Sequence, residues 1–396
     1  MRRCGYLGDL VLAQLLGETV MRIGIEFLYA QQGTTQGYDS SLRNLLDGLE
    51  AVLPRHEVFV FCNTPYYQAN KARFSNIRLV DCQRQWMNRL QRAIWMSTCL
   101  PRFVRQYGLN GVYFPTHFRP VQDMRQIWTV FNVYDLQYRY IPANFGRFQW
   151  LVRDFFYRLS FAKCDCGVCI SNHAMKTVRE QFPWVQPELL AVIPLPVSFE
   201  AESLSLPEDS LPALPVRPYI LTIGKHFSHK NFETLIRAFA MLVRMTQYSG
   251  SLVLAGGFTA RTPFLQALAD ELGVKNRVHF MGYVSDAVRE YLYRAADMLV
   301  FPSLYEGFGM PAVEAMGRRI PVVCSDATSL PEVTLRLATY YSPATDAQAL
   351  AQAIIKLLQQ PPAQEHLQQV SSRVRQVYDT ATVARQYLAL WESLDR

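Results

Sequence analysis

The segment SLYEGFGMPAVEAMG, residues 303–317, concentrates residues able to do chemistry. Glu306 and Glu314 flank a small turn, Gly307-Phe308-Gly309-Met310-Pro311. The run DMLVFPS (297–303) just before it predicts a buried strand that ends in a loop. Pro311 suits the first turn of a helix, where a missing N–H costs nothing. A strand, a Gly turn and a helix N-terminus together make an anion site, because free backbone N–H groups and the positive end of the helix dipole converge there. The two carboxylates would repel that anion, so each is better suited to accept hydrogen bonds from hydroxyls. A diphosphate with polyols at both ends meets both demands, which points to a nucleotide sugar.

GKHFSHKN (224–231) follows another strand-like run and sets Lys225 and Lys230 at the start of a helix. At the carboxyl edge of one parallel sheet these cations would face the turn at 307–311. Breaking a glycosyl–phosphate bond leaves charge on the departing nucleoside diphosphate. Fixed ammonium and backbone N–H groups stabilise that charge without a metal. Taken alone, two lysines in a loop also fit a solvated surface turn. No two Asp in the chain are separated by one residue, so the Asp pair that commonly holds a metal for sugar transfer is missing. No metal or other cofactor is therefore expected. Of eight Cys, only CDCGVC (164–169) is clustered, and it lies in an apolar run without a second ligand cluster. Buried, reduced thiols and a reducing cytoplasm follow.

The elements that must position these groups alternate along 396 residues, enough for two domains. In the first half the strand-like runs are 22–28, 57–62, 111–115, 127–133, 166–171 and 189–194, with amphipathic stretches at 38–52, 148–163 and 172–182. In the second half they are 219–224, 251–257, 277–282, 297–302 and 320–325, separated by helical segments. This alternation predicts α/β architecture with parallel sheets covered on both faces and ligands at the carboxyl ends of the strands. Residues 1–20 read as an N-terminal extension, 21–200 and 201–378 as two Rossmann-like domains joined through a polar, Pro-rich stretch at 198–218. Residues 379–396 form a last helix whose apolar face, Val383, Tyr387, Leu390, Trp391 and Leu394, must be buried, with the N-terminal domain as its expected support. No window approaches the ~20 apolar residues of a membrane span.

TIGKHFSHKNFETLIRAF, LVLAGG, VHFMGYVSD and SLYEGFGMPAVEAMGRRIPVVCSD, in order over about 219–333, resemble the C-terminal domain of glycosyltransferase family 4, retaining enzymes of the GT-B fold. VYDLQYRYIPANF, the helix 148–163, CISNHA and AVIPLPV in the first half resemble members that build lipopolysaccharide O-chains and other surface glycans. The resemblance implies two Rossmann-like domains facing a central cleft, with acceptor in the first and donor in the second. It implies that Glu314 binds the ribose hydroxyls and Glu306 the donor-sugar hydroxyls. Phe308, Gly309 and Met310 would offer backbone N–H groups. Lys225 and Lys230 would contact the diphosphate, and Tyr283 and Val284 would frame the base. Gly33, Thr34 and Gly37 stand where the family's N-terminal Gly-rich loop approaches the phosphates. The implied donor is GDP- or UDP-linked. The implied product is a glycosidic bond of unchanged anomeric configuration on a hydroxyl acceptor, with a lipid-linked or surface glycan as the expected one.

One departure concerns the cleft. Where the family has His-Asp, this chain has Tyr134-Asp135. Tyr can donate a hydrogen bond, but it is no base near neutral pH. A mechanism in which the departing phosphate takes the acceptor's proton survives that change. Tyr134 then fills space near the donor's C6, favouring a 6-deoxy sugar or pentose; a neutral substitution fits equally well. His117, in FPTHFRP, and Asp135 are candidates for the acceptor site.

All of the net charge of +7 lies in residues 21–200, with 20 Lys+Arg against 13 Asp+Glu; residues 201–396 balance at 18 each. Residues 84–105 hold five Arg, no acid, and Trp86, Trp95 and Phe103. A basic, aromatic helix suits an anionic membrane surface, so peripheral contact with the inner face of the cell membrane is expected, and nucleic acid is not. An ordinary covering helix with its Trp residues in the core is the competing reading. Two further functions share the architecture: a nucleotide-sugar hydrolase or phosphorylase, and a non-catalytic nucleotide-sugar-binding subunit.

Overall fold

The computed structural model describes residues 20–30, 37–53, 55–85, 87–199 and 217–395. The chain divides into two units, Met1–Pro196 with Tyr378–Arg396, and Val197–Val377. Most of the Pro-rich stretch at 198–218, together with residues 1–19, lies outside the described residues.

The first unit is a parallel sheet of β1 (Arg22–Phe27), β2 (Glu57–Cys62), β3 (Ile77–Asp81), β4 (Gly111–Phe114), β5 (Trp128–Val133), β6 (Cys166–Cys169) and β7 (Leu190–Val192). Its order is β3-β2-β1-β4-β5-β6-β7. The central strands β2, β4, β5 and β6 are buried along their whole length, as their unbroken apolar runs require. The thiols of Cys164, Cys166 and Cys169 are buried among them, and burial pushes all three up.

The helix Thr380–Leu394 belongs to this unit. Asp379 caps it, accepting from the N–H groups of Ala381 and Thr382 at 3.0 and 3.3 Å. Val383, Tyr387 and Trp391 are buried, while Leu390 and Leu394 are partly buried at the edge of the same core. Trp391 stacks on Trp128 at 6.0 Å, and the Tyr387 hydroxyl donates to Asn132 Oδ1 at 3.1 Å. Gly48, on the helix Gly37–Val52, makes the close approach: a Cβ there would stand 2.1 Å from the Thr380 carbonyl oxygen.

The second unit is also parallel, with β8 (Tyr219–Ile223), β9 (Ser251–Ala255), β10 (Val278–Gly282), β11 (Met298–Phe301), β12 (Val322–Ser325) and β13 (Thr339–Tyr341) in the order β10-β9-β8-β11-β12-β13. The strand order reverses between β8 and β11, and in open α/β sheets ligands bind beyond the carboxyl ends at such a switch point. The helix Phe232–Met245 turns its apolar face into this unit's core. The loops after β8 and β11, which hold GKHFSHKN and SLYEGFGMP, are therefore neighbours.

Two expectations need correction. The basic stretch at 84–105 is two helices, Arg89–Thr98 and Leu100–Tyr107, because Pro101 can only begin a helix here. Its interior side is built as the competing reading had it. Trp95 is buried, Phe103 packs against Phe61 and Trp95, and Arg92 is buried in an ion pair with Glu26 at 3.0 Å. Trp86 lies outside the described residues. Two of the four edge strands, β3 and β13, have no counterpart among the predicted ones.

Candidate functional site

The turn after β11 is held from several sides. Ser329 Oγ donates to the carbonyls of Glu306 and Phe308 at 2.9 and 3.1 Å, and the Glu306 N–H donates to Thr328 Oγ1 at 3.0 Å. Ser325 Oγ donates to the Ser303 carbonyl at 2.5 Å. Gly309 takes a φ of +101°, and a Cβ there would come within 2.6 Å of Leu330, so glycine is required. Met310 begins the helix Met310–Gly317 directly after it, and Pro311 occupies the first turn. Pro311 has no N–H and the Ala312 N–H donates to the Gly309 carbonyl at 3.0 Å, so what this turn offers an anion is mainly the positive end of the helix dipole. Phe308 is buried, which leaves its backbone as the group it can offer a ligand.

The loop after β8 is fastened to this turn. The Leu304 N–H donates to the His229 carbonyl at 2.7 Å, and Asn231 Nδ2 donates to the carbonyls of Pro302 and Ala344. These bonds bring Lys230 Nζ to 2.5 Å from Glu306 Oε1, over the face of Phe301. Both side chains are mostly buried, at 17% and 12% exposure, so the pair sits in a medium where its attraction is strong. Lys225 is different. It is exposed, lies against Gly257, and makes no ion pair among the described residues. The structure thus brings Lys230 and Glu306 together and leaves Lys225 as an exposed cation earlier on the loop after β8.

Next to the pair, the His229 ring is buried and its pKa is lowered to about 4. Burial is the main cause, the Lys230 ammonium adds to it, and the Glu306 carboxylate opposes it. His229 is therefore a neutral group at physiological pH.

Glu314 occupies the helix after the turn, on the side away from that pair in sequence, and is buried. Its Oε2 accepts from the Tyr293 hydroxyl at 2.7 Å. Arg289 sits one turn earlier on the helix Asp286–Ala295, paired with Asp286 at 3.1 Å. Burial alone would lower the Arg289 guanidinium, but the carboxylates of Glu314 and Asp286 outweigh it and hold the pKa up. Arg289 and Tyr293 were not among the candidates from sequence. Their spacing of four on one helix face was the available signal. Tyr283, just beyond β10, is exposed, with Val284 half-buried beside it.

The candidates of the first unit are packed more tightly. Tyr134 follows β5, is buried, lies edge-on to Tyr38 at 4.3 Å, and shares a hydrogen bond with Ser41 Oγ at 3.2 Å. Burial raises its pKa far above that of a free phenol, so it stays neutral. His117 follows β4, at this sheet's own switch point beside β1, and stacks on Tyr157 at 4.5 Å. Asp135 Oδ1 accepts from the Gln137 N–H at 3.0 Å, which makes it a helix-start cap. Gly37 begins the helix Gly37–Val52, whereas Gly33 and Thr34 lie outside the described residues. Among the described residues no group of three or more His, Cys, Asp or Glu is placed to hold a metal ion.

Residues 36–201 match the family described as glycosyltransferase family 4, and residues 210–376 match glycosyl transferases group 1. The chain belongs to glycosyltransferase family 4. Its two parallel-sheet halves are the GT-B fold. A solved sucrose-phosphate synthase from Thermosynechococcus elongatus superposes with a TM-score of 0.72 at 21% identity, covering 94% of this chain and 99% of that one. The O-antigen chain mannosyltransferase B of Escherichia coli is 38% identical over 36% of this chain and 37% of its own length. The O-antigen chain mannosyltransferase RfbU of Salmonella typhimurium is 29% identical over 58% of this chain and 61% of its own length. The matches thus span between about a third and three fifths of these family 4 relatives.

Proposed function

We propose that the chain is a retaining, metal-independent glycosyltransferase that moves a sugar from a nucleoside-diphosphate sugar to a hydroxyl acceptor. The Lys230–Glu306 pair, fixed beside the Gly309 turn at the N-terminus of the helix Met310–Gly317, is the observation that carries this reading. A diphosphate entering there meets two lysines and a helix N-terminus. Lys230 exchanges part of its bond with Glu306 for the diphosphate, and Glu306 turns its free oxygen to donor-sugar hydroxyls. Glu314, fixed by Tyr293, receives the ribose hydroxyls.

In the transfer step the acceptor oxygen bonds to the anomeric carbon as the bond from that carbon to the phosphate oxygen breaks. The bonding pair leaves with the diphosphate, where Lys225, Lys230 and the helix N-terminus stabilise it. The acceptor's proton passes to the departing phosphate oxygen on the same face, so configuration is kept and no side-chain base is used. A neutral, buried Tyr134 is compatible with this route. The names of the O-antigen relatives favour a mannosyl donor and a polysaccharide-chain acceptor; in this reading that acceptor is a lipid-linked or surface polysaccharide intermediate, handled on the cytoplasmic side of the membrane.

A thermal-shift panel of nucleoside diphosphates tests the donor half. At ~100 times its dissociation constant, a binder gains roughly 2.7 kcal/mol of stability. Glu314→Ala should erase that shift, and an undiminished shift in the variant rules out the ribose role. Release of nucleoside diphosphate from the sugar donor, with and without a lipid acceptor extract, then separates transfer from hydrolysis and from binding alone.

A further inference from the structure

The helix Arg147–Lys163 has two unlike faces. Inward it buries Tyr157 and Phe161 and holds both acceptor candidates. Tyr157 stacks on His117, its hydroxyl donates to the Asp135 carbonyl at 3.0 Å, and Ser160 Oγ donates to the His117 carbonyl at 2.9 Å. Outward, Phe148, Leu151 and Phe155 are 77%, 61% and 53% exposed. Their spacing of three and four residues lines them up in one stripe. A covering helix of a soluble domain carries polar residues on that side. Single exposed apolar residues need no explanation, but a run of large ones along one face marks an interaction surface.

The charge around the stripe has one sign. Arg147, Arg158 and Lys163 are exposed on the same helix. Its single carboxylate, Asp154, is buried and bonded to Arg139 and Arg158. Val121, 48% exposed, continues the apolar surface: its carbonyl accepts from Lys163 Nζ at 2.9 Å, and its N–H donates to Ser97 Oγ on the helix Arg89–Thr98, where Ile94 is 54% exposed. The nearby acid Asp123 is taken up by Arg125 at 2.8 Å. A second copy docked across a two-fold axis would set these basic rims against each other. Residues 21–200 also carry the whole excess positive charge of the chain.

We propose that this face docks on an anionic membrane surface, with Phe148, Leu151 and Phe155 entering the acyl boundary and Arg147, Arg158 and Lys163 meeting lipid phosphates. An apolar stripe rimmed by cations is the pattern that binds such an interface. The membrane contact expected of residues 84–105 then moves mainly to a different helix. His117 and Asp135 lie on the opposite side of the same helix, roughly one helix diameter of ~10 Å from the lipid surface. The proposal extends the lipid-linked acceptor of the reading above, but its test needs no turnover.

The full chain is co-sedimented with vesicles of phosphatidylcholine alone and of phosphatidylcholine mixed with phosphatidylglycerol. Binding to the mixed vesicles, weakened by salt, is expected. The triple change F148S/L151S/F155S should lower the partition by about ten-fold or more, with the nucleoside-diphosphate thermal shift unchanged. R147E/K163E, which leaves the stripe intact, should lower both the partition and its salt dependence. Equal partition of wild type and both variants overturns the proposal, as does absence of binding to anionic vesicles. A dimer in gel filtration that the triple change converts to monomer would instead make the stripe a self-association face. Vesicle binding without any nucleoside-diphosphate shift would sink the donor reading and leave this one standing.

Discussion

The two units carry their candidate residues in opposite ways. In the second, the groups for chemistry sit at a sheet switch point and are paired with one another, Lys230 with Glu306 and Glu314 with Tyr293. In the first, Tyr134, His117 and Asp135 are woven into packing with Ser41, Tyr157 and Gln137. The candidates of the second unit thus sit on two short loops and on the helix that follows one of them. Those of the first are built into a scaffold whose side chains already serve the fold. A substitution in the second unit should therefore show in turnover, and one in the first should show in stability.

The largest effect expected is on stability. Trp391→Ala removes a fully buried indole from the core of the first unit, and aromatic-to-Ala changes of this kind cost about 3–5 kcal/mol. Limited proteolysis should show the first unit opening while Val197–Val377 stays resistant; simultaneous loss of both would break the contrast between the units. Next, Lys230→Ala should lower kcat by roughly 10²–10³-fold, the scale of losing one electrostatic stabiliser. An effect confined to KM would mean that Lys230 binds donor and transition state equally.

The pH response is smaller and has a fixed sign. The folded-state pKa of His229, about 4, lies below the usual value of 6.5. Between these values the unfolded chain binds more protons than the folded one, so stability falls as pH drops from 6.5 toward 4. The contribution is complete above 6.5. His229→Gln should flatten that part of a Tm–pH curve, and an unchanged acid limb would place the ring in contact with water. The smallest effect is Tyr134→Phe, which removes one hydrogen bond to Ser41 and should cost about 1 kcal/mol. Its kcat should stay near wild type. A loss comparable to that of Lys230→Ala would bring Tyr134 into the chemistry and erase the difference between the units. Comparing hexose and 6-deoxyhexose donors in wild type and Tyr134→His sharpens the remaining point, since equal preference in both removes Tyr134 from donor choice.

The central strands were legible because most of their residues are apolar, as EVFVFC and WTVFNV show. Two of the four edge strands, β3 and β13, were not. In IRLVD only Ile77 is buried, and in TYY only Tyr341, so neither leaves a continuous apolar run. Pro101 marked the break between the helices Arg89–Thr98 and Leu100–Tyr107, but the basic residues running through it suggested one surface helix. The two loops that carry Lys225, Lys230 and Glu306, and the helix that carries Glu314, were visible because each loop is short and directly follows a strand. That these loops face each other was expected, but the direct Lys230–Glu306 bond was not, since both side chains were assigned to a ligand. Arg289 and Tyr293 reach Glu314 from a separate helix, a meeting that only the packed structure sets.

The helix Thr380–Leu394 also bears on how this protein is made. A ribosome delivers the N-terminal strands first, yet Val383, Tyr387 and Trp391, which complete their core, arrive last. The first unit therefore waits, incompletely folded, until the whole of the second has emerged, whereas Val197–Val377 is contiguous and can close as soon as it is made. Nascent chains stalled before residue 380 should expose the Trp128 side of the first sheet, and they are the species a chaperone would find.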